Sequence, residues 1–495
     1  MSGAVTRRIK ALDPADRLLL IGLLAAAAGT RMPGLGPEAL WIDDAWVAYA
    51  HRASWSNITE IGLSAPGLSV MLKLWFGLVG FGELRAQLIP FLAGITAPPL
   101  AYAVVRSRAG RLSAMIAGGW LLFTPIHIEY SVRVKQYSIE VLLALVIVHL
   151  TWRLLEEPVR TERWRQLAVI SSAAVLVSFP LASIAGAGCA VAGLAAIARD
   201  RRLSRHSGWL TLPAATTIAW LAIVIRHRQY DGLQWFWRAQ FIQTDAGLRV
   251  TAESAAVRTK DMFEFVSPIS PVLMMTLCAG ALAWLHWRKP LHALVVSLPL
   301  LAAVGLAAAQ TAPLGGGRTD LYLLAGLVLG SSIALDDITT RWPHIGVRVA
   351  AAVASVGLLW AGLGYQHPEY PIEDVPTVLA ALEAARQETD TIFVYHEAKW
   401  AVATYSDFDV TVRPISNPYD VVFDDPSIFR QRFPFSPERI AEDVASVDTD
   451  ERVWLIGSHL SSSWHDTIEA FLYAGWGVVA QTDARGAALL LLEHG

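Results

Sequence analysis

Long apolar runs separated by short polar segments make up most of the chain up to residue 365. Each run is roughly 15 to 20 residues long, which is about the length that an α-helix needs to cross the hydrocarbon core of a bilayer. The pattern therefore predicts about eleven transmembrane helices. They are expected at residues 17–33, 86–105, 112–129, 137–155, 166–198 (two helices), 209–225, 269–286, 292–310, 321–335 and 349–364.

One apolar run does not fit this series. Residues 65–80 are short for a membrane span and carry Lys73 near their middle. If this run crossed the membrane, the arginines of 106–111 would lie outside, whereas Lys and Arg usually collect in cytoplasmic loops. We therefore expect 65–80 to form an amphipathic helix along the outer interface, within a first external loop at 38–85.

The basic residues set the orientation of the whole chain. The N-terminal tail carries Arg7, Arg8, Lys10 and Arg17, and every loop that this scheme places inside also carries Arg or Lys. We therefore expect a multi-pass plasma (inner) membrane protein with a cytoplasmic N-terminus. The first loop, a second long loop at 226–268 and the C-terminal part are then external.

The pattern changes after residue 367. Residues 368–495 are too polar for membrane spans and alternate between short apolar strands and helical spacing. The expected helices are 373–387 and 464–473, and the expected strands are 391–395, 452–457, 476–481 and 487–493. The sequence thus predicts a transmembrane domain at 1–367 and a small external α/β domain at 368–495. No Gly-rich phosphate loop opens a helix of this domain, so we do not expect it to bind nucleotides.

Composition agrees with a helical polytopic membrane protein. The chain of 495 residues is 54% hydrophobic and 17% charged, and its mean hydropathy is +0.42, which is too apolar for an ordinary soluble protein. The net charge of −3 identifies no partner, and we expect no nucleic acid among the partners. Both cysteines lie in apolar runs and are expected to pack as small hydrophobic residues. We expect the first apolar run to be a retained helix and not a removed signal peptide.

Two adjacent carboxylates, Asp43 and Asp44, follow the first apolar run. Ionisable groups are costly near hydrocarbon, so a pair at a membrane exit is a candidate functional site. The alternative is a helix cap, because Asp before an apolar stretch is a good N-cap. Taken alone, these residues do not decide between the two.

The predicted topology gathers cations and aromatic residues on the same outer face. A lipid-linked phosphate needs cations to bind it and to stabilise its leaving charge. A carboxylate can take the proton of an acceptor hydroxyl as its oxygen attacks an activated carbon. The cations are Lys73, Arg85, Arg133, Lys135 and Arg318.

Four segments in this order resemble the GT-C superfamily of membrane glycosyltransferases. The resemblance is greatest to the branch that contains bacterial protein O-mannosyltransferases and lipid A aminoarabinose transferases. The matching segments are Asp43-Asp44-Ala45, Pro66 to Leu72 with Gly80 to Arg85, Tyr130 to Tyr137, and Gly317 to Leu324. The chain departs from the family pattern in two places. The second acid is Asp44 and not Glu, and Ser64-Ala65 stand where a basic residue or His is often found.

The resemblance implies a GT-C-like fold and an inverting transfer of a sugar from a polyprenyl-phosphate donor to an acceptor hydroxyl on the outer face. It implies that Asp43 acts as general base with Asp44 beside it. Arg133, Lys135, Arg318 and Lys73 are expected to hold the donor phosphate, and Tyr137, Tyr322 and Arg85 to contact substrate. The expected partners are the lipid-linked sugar, a protein, lipid or polysaccharide hydroxyl, and membrane lipids. We expect no metal site from spacing, and no cofactor.

Each assignment has an alternative. The cations can be ordinary interface residues, with Lys73 snorkelling from its helix and Arg85 paired with Glu83. The aromatic residues of 230–237 suit either a sugar platform or an interfacial belt. We expect His127, His396, His459 and His465 to be structural. Competing functions are a transporter or flippase and a non-catalytic assembly factor; against transport, we see no two-fold repeat of spans.

Overall fold

The structure, a computed structural model, describes most of the chain. The described residues are 13–58, 61, 65–158, 160–199, 207–226, 236–267, 270–342, 344, 372–414, 419–431 and 436–495. They fall into two compact units. The first unit comprises residues 1–35 and 87–367, and the second comprises residues 36–86 and 368–495. The division into domains at 367 that the sequence predicts stays a prediction.

The first unit is helical. Its helices follow the apolar runs of the sequence, and most begin or end at Pro, Gly or basic residues. In chain order they are α1 (Pro14–Arg31), α4 (Glu83–Arg106), α5 (Arg111–Phe123), α6 (Pro125–Glu129), α7 (Tyr137–Glu156), α8 (Thr161–Val177), α9 (Leu181–Arg199), α10 (Thr211–Arg226), α11 (Leu248–Val266), α12 (Pro271–Arg288), α13 (Pro290–Ala308) and α14 (Leu321–Arg341). Helices α2 (Ile42–Ala48) and α3 (Pro66–Val79), which come between α1 and α4 in the chain, belong to the second unit.

Several of these helices are long and apolar enough to cross a membrane. Within the described residues there are five such helices, or six if α11 and α12 count as one broken span. The described part of the chain therefore has the character of a multi-pass membrane protein. The predicted helix at 349–364 lies outside the described residues. Helix α4 contains Pro90, Pro98 and Pro99, which membrane helices accommodate better than soluble ones.

The core of the first unit lies among its central helices. Leu145, Trp152 and Leu167, from α7 and α8, are fully buried, and α14 is buried over most of its length. The indole of Trp152 donates a hydrogen bond to the carbonyl of His292 at 3.2 Å. Such buried aromatic residues bring large apolar area into the helix contacts.

The segment 226–268, predicted as a long loop, contains the 19-residue helix α11. Its charged residues pair one turn apart, as Arg249 does with Glu253 at 2.8 Å, and such pairs stabilise an exposed helix face. Its apolar face buries Met262 and Phe263. The polar composition made this segment resemble a loop, although the apolar residues recur at helical spacing.

The second unit is built around a mixed sheet. Its five strands have the order β4-β1-β5-β7-β6, where β4, β1 and β5 are parallel and the two final pairs are antiparallel. The strands are β1 (Thr391–Val394), β2 (Val410–Pro414), β3 (Tyr419–Phe423), β4 (Ile428–Arg430), β5 (Val453–Ser458), β6 (Trp476–Ala484) and β7 (Ala487–His494). Strands β2 and β3 form a separate antiparallel pair.

Helices α15 (Val375–Ala385), α16 (Lys399–Tyr405), α17 (Pro437–Ala445) and α18 (Ser462–Tyr473) complete this unit. The small α/β region that the sequence predicts is therefore present. The sequence reading missed β2, β3, β4, α16 and α17. The same unit contains α2, which carries the acidic pair, and the apolar helix α3.

Candidate active site

The acidic pair occupies the first turn of helix α2. The N-cap residue is Trp41, which makes no side-chain capping bond, and Asp43 and Asp44 follow inside the helix. The alternative, in which an Asp caps this helix, is therefore not the arrangement observed. Carboxylates within the first turn are nevertheless favoured by the positive end of the helix dipole. Asp44 is buried, with 4% of its surface exposed, whereas Asp43 is half-buried.

Helix α16 forms the support on which α2 lies. The ring of Trp400 stacks on Trp46 with centroids 5.5 Å apart and meets the edge of Tyr49 at 5.7 Å. The hydroxyl of Thr404 donates to the carbonyl of Ala45 at 3.0 Å. Residues about 350 positions apart in sequence thus fix the helix that carries the acidic pair, through aromatic contacts of a kind worth about 0.5–1.5 kcal/mol each beyond area burial.

Two further residues join the same elements. The backbone N–H of Leu40 donates to the hydroxyl of Tyr405 at 2.9 Å. The guanidinium of Arg52 donates to three carbonyls at the end of α16, those of Ala403, Ser406 and Phe408. Burial raises the pKa of Tyr405, and the negative charges of Glu83 and Asp44 act in the same direction. The hydroxyl of Tyr405 therefore stays protonated beside the acidic pair.

Lys73, predicted to hold the donor phosphate, and Arg85, predicted to contact substrate, also belong to the second unit. The ammonium of Lys73 donates to the carbonyl of Ala53 and lies 5.3 Å from the centre of the Trp55 ring. The guanidinium of exposed Arg85 donates to the carbonyl of Phe81 at 3.3 Å. These contacts give both side chains a local role, and the predicted contacts of Lys73 with the donor phosphate and of Arg85 with substrate stay predictions.

In the first unit, the loop between α6 and α7 carries the next predicted cations. Arg133 is buried and Lys135 is half-buried. The ring of Tyr130 lies edge-on to Tyr137, with centroids 4.8 Å apart. Burial raises the pKa of Tyr130, while the positive charges of Arg318 and Arg133 oppose this increase. The structure therefore brings Arg133 and Arg318, 185 positions apart in sequence, to the same tyrosine.

A buried arginine that the sequence reading missed supports this loop. Arg31 ends α1 and is fully buried. Its guanidinium donates to the hydroxyl of Ser131 at 3.0 Å, to the ring of His127 at 2.9 Å and to the carbonyl of Leu121 at 3.2 Å. Its position at the end of an apolar run was the available signal, because a cation there needs partners.

Arg318 lies in a turn that is wound around the carboxylate of Asp320. The N–H of Gly315 donates to Asp320 Oδ2 at 2.9 Å, and the N–H groups of Gly316 and Gly317 bind the same carboxylate. Gly315 and Gly317 have φ angles of 79° and 70°, where a side chain would be strained. A Cβ on Gly315 would also lie 2.7 Å from the carbonyl oxygen of Arg258. Asp320 therefore fixes the turn that presents Arg318.

The guanidinium of Arg318 lies 5.7 Å from the centre of the Trp237 ring. Trp237 reaches it because Gly316 has no side chain; a Cβ there would come within 2.9 Å of the indole. Of the aromatic residues predicted as a sugar platform, Trp237 thus lies beside a predicted phosphate-binding cation and contacts Phe236 edge-on at 4.9 Å. Tyr230 and Trp235 are outside the described residues.

Two more buried polar residues lie near this turn. The carboxyl group of Glu140, on α7, accepts a hydrogen bond from Ser178 and is fully buried. Tyr322, predicted to contact substrate, is 5% exposed and its hydroxyl bonds to Ser183. An ionisable residue inside a membrane-length helix is a functional candidate by default, and this signal identifies Glu140, which the sequence reading passed over.

The two halves of the predicted site thus lie in different units. The first unit presents a cluster of cations and tyrosines suited to a phosphate, and the second presents a carboxylate pair suited to accepting a proton. Convergence of Arg133, Lys135 and Arg318 with Asp43 stays a prediction. Among the described residues, no three His, Cys, Asp or Glu side chains are arranged to hold a metal ion.

No protein-family model matches the sequence, and no curated protein matches it. Solved structures do match. ArnT from Cupriavidus metallidurans in the apo state has a TM-score of 0.59 at 12% identity, over 96% of this chain and 98% of ArnT. The same protein bound to undecaprenyl phosphate has a TM-score of 0.56 at 13% identity, over the same shares.

The chain has a GT-C-like fold. The oligosaccharyltransferase of Archaeoglobus fulgidus, in a complex with zinc and sulfate, has a TM-score of 0.50 at 12% identity, over 78% of this chain and 61% of its own. The resemblance inferred from Asp43-Asp44-Ala45 and the later segments is thereby confirmed at the level of the fold. Individual residue roles are not transferred at such low identity.

Proposed function

We propose that this GT-C-like chain is a glycosyltransferase. It moves a sugar from a polyprenyl-phosphate donor to an acceptor hydroxyl at the outer face of the membrane, with inversion at the anomeric carbon. The similar fold of ArnT, whose structure was determined with undecaprenyl phosphate, supports a lipid of this chemistry as the carrier. Fold alone does not determine function, so the proposal depends on the residues that the fold positions.

The observation that carries the proposal is the pair Asp43 and Asp44 in the first turn of α2. Asp43 is the general base. The acceptor oxygen attacks the anomeric carbon, the bond from this carbon to the phosphate oxygen breaks, its electron pair stays with the lipid phosphate, and the hydroxyl proton passes to Asp43. General base catalysis of this kind contributes a factor of about 10² to 10⁴.

The cation cluster of the first unit receives the donor phosphate. Arg133 and Arg318, which share Tyr130 as a neighbour, neutralise the charge that grows on the departing phosphate, and Lys135 adds to this field. Tyr137 packs against Tyr130 and is well placed to contact the donor. We assign smaller roles to Lys73, Arg85 and Tyr322, because the side chain of each already bonds to a partner within the protein.

The proposal includes a topology. The chain has about eleven spans and an interfacial helix, its N-terminus is cytoplasmic, and residues 368–495 form an external α/β domain. The distribution of Arg and Lys along the sequence supports this orientation. The protein is then a multi-pass protein of the plasma (inner) membrane.

Binding of the carrier lipid tests the proposal. A ligand that binds only the folded state stabilises it, by about 2.7 kcal/mol at a concentration of 100 times Kd. We expect undecaprenyl phosphate to raise the Tm of the purified chain, and undecaprenol, which has the same tail and no phosphate, to raise it much less. In Arg318→Ala, most of the difference in Tm between the two lipids should be lost. Equal stabilisation by the two lipids would contradict the proposed phosphate site.

A further inference from the structure

A histidine at the end of a strand of the five-stranded sheet lies at the start of helix α2, which carries the acidic pair. His459 directly follows β5, at the carboxyl end of the parallel strands. Its ring centre is 5.8 Å from that of Trp41, the N-cap residue of α2, and the two ring nitrogens, Nδ1 of His459 and Nε1 of Trp41, are 3.2 Å apart. The contact between residues 41 and 459 thus places the end of β5 beside Trp41, which precedes Asp43 by two residues in the chain.

A buried carboxylate holds this imidazole. Nδ1 of His459 lies 2.7 Å from Oε1 of Glu373, and the hydroxyl of Ser458 donates to Oε2 of the same carboxylate at 3.0 Å. The side chain of Glu373 is 1% exposed. Nδ1 thus has two partners: without a proton it accepts the indole N–H of Trp41, and with a proton, as in the imidazolium, it donates to Glu373.

The backbone at this histidine is also unusual. His459 has a φ angle of 54°, and among the described residues other than glycine only Gln310 shares a positive φ. Residues held in such sparsely populated conformations concentrate at functional sites. Here the bonds of Glu373 hold the histidine in a conformation that its own backbone does not favour.

The groups that face His459 are acidic. The hydrogen bond and charge of Glu373, and the charges of Glu397 and Asp43, raise the pKa of His459 above its ordinary value, although burial opposes them. A raised histidine pKa means that the charged imidazolium persists to higher pH. The imidazolium of His459 therefore acts on Asp43 over a wider range of pH than that of an ordinary histidine would.

Asp43 also has an acidic neighbour, Asp44, in the first turn of α2. A like charge disfavours ionisation, and an opposite charge favours it. We propose that His459 is a positioning residue whose imidazolium keeps Asp43 ionised against the repulsion of Asp44. This inference rests on the proposed function, in which Asp43 accepts the proton of the acceptor hydroxyl.

The consequence is visible in the dependence of turnover on pH. A base is lost when it is protonated, so turnover falls on the acid side as Asp43 gains a proton. Removing the neighbouring positive charge raises the pH at which this happens. A partly exposed neighbour such as His459, with 35% of its side chain exposed, is expected to contribute less than the roughly 1 to 3 pH units that an opposite charge within about 4–6 Å produces.

Three variants separate the charge from the structure. His459→Asn removes the charge and keeps a residue that tolerates positive φ. His459→Lys keeps a positive charge. Glu373→Gln keeps an acceptor for Nδ1 and removes the buried anion that favours the imidazolium. For each variant, release of undecaprenyl phosphate from a set of undecaprenyl-phosphate-linked sugars is measured against pH, in detergent-permeabilised membranes that contain the enzyme at matched levels.

We expect the acid side of the profile to move to higher pH in His459→Asn, to move less in Glu373→Gln, and to stay near its wild-type position in His459→Lys. Stabilisation by undecaprenyl phosphate should be the same in all three, which also shows that they are folded. A profile that is lowered at every pH without moving would overturn the inference and leave the proposed function intact. Absence of lipid release by the wild-type enzyme, from every donor tested, would overturn both.

Discussion

Asp43 and Asp44 are adjacent in sequence, yet their surroundings differ. Asp44 is buried and its charge acts on the pKa of Tyr405, whereas Asp43 is half-buried and its charge acts on the pKa of His459. Pairs of carboxylates in unlike environments commonly take unlike roles. We expect Asp44→Asn to reduce turnover less than Asp43→Asn, because Asp44 supports the helix and does not receive the proton. Turnover at matched membrane levels checks this, and a severe loss confined to Asp44→Asn would move the base by one residue.

Asp320 gives a second prediction at the scale of a residue. Its carboxylate accepts backbone N–H groups from the Gly315 turn, and a hydrogen bond to a charged group is worth about 1.5–3 kcal/mol. Asp320→Asn should loosen the turn that presents Arg318 and weaken binding of undecaprenyl phosphate by about tenfold or more. The concentration of lipid needed for half-maximal thermal stabilisation measures this. Glu253→Gln, on exposed α11, is the control, and an unchanged concentration in Asp320→Asn would contradict the role.

The sequence points to candidate residues whose chemistry is local, and it does not reveal contacts between residues that are far apart in the chain. The pair Asp43 and Asp44 and the cation Arg318 were visible because their types and order match a known pattern. His459 was taken as structural, because nothing near it in sequence points to Glu373, 86 positions away. The sequence analysis passed over Asp320 because its carboxylate binds backbone N–H groups, and a pattern of residue types does not reveal such bonds.

At the scale of elements, the contact between α2 and α16 carries a prediction. Trp400→Ala removes the rings that Trp46 and Tyr49 pack against, and loss of a buried aromatic side chain costs about 3–5 kcal/mol. We expect lower thermal stability together with reduced turnover per folded molecule, because α2 loses its support.

Trp476→Ala is the matched control for this variant. Trp476 is buried against Phe471 and His494 in the same unit, so its loss should lower stability to a similar degree and leave turnover per folded molecule near the wild-type value. Comparable turnover in the two variants would show that α16 is not a specific support for the acidic helix.

Long elements were predictable and short ones were not. Helices such as α7 and α13 follow apolar runs long enough to read from hydropathy. Strand β4 has three residues and α16 has seven, which is too short for a period to be recognised. Helix α11 was missed for another reason, since its mixed charges hide an apolar face that only packing makes evident.

At the scale of the whole molecule, the orientation in the membrane carries a prediction. Arg and Lys collect in the segments placed inside, such as 106–111, and the positive-inside rule then places residues 368–495 outside. A reporter active only in the cytoplasm should be silent when fused after Gly495 and active when fused within 106–111. Strong activity after Gly495 would overturn the number of spans.

The overall fold was predictable from the order of the four segments, and the similarity in structure to ArnT persists at 12% identity. Convergence of the cations of 133–135 with the acidic pair stays a prediction, because they belong to two units built from interrupted stretches of the chain. Hydropathy and charge determine which side of the membrane a residue lies on, and they carry no information on which residues meet there.

The central claim is that Asp43 is the general base of a sugar transfer from a lipid phosphate. Asn has nearly the size of Asp and keeps one acceptor oxygen, but it is far too weak a base. The most direct measurement is release of undecaprenyl phosphate from undecaprenyl-phosphate-linked sugars by wild type and Asp43→Asn at matched membrane levels, with lipid binding followed in parallel. We predict a loss of about 10² to 10⁴ in turnover with binding preserved. Turnover near the wild-type rate in Asp43→Asn would contradict the account.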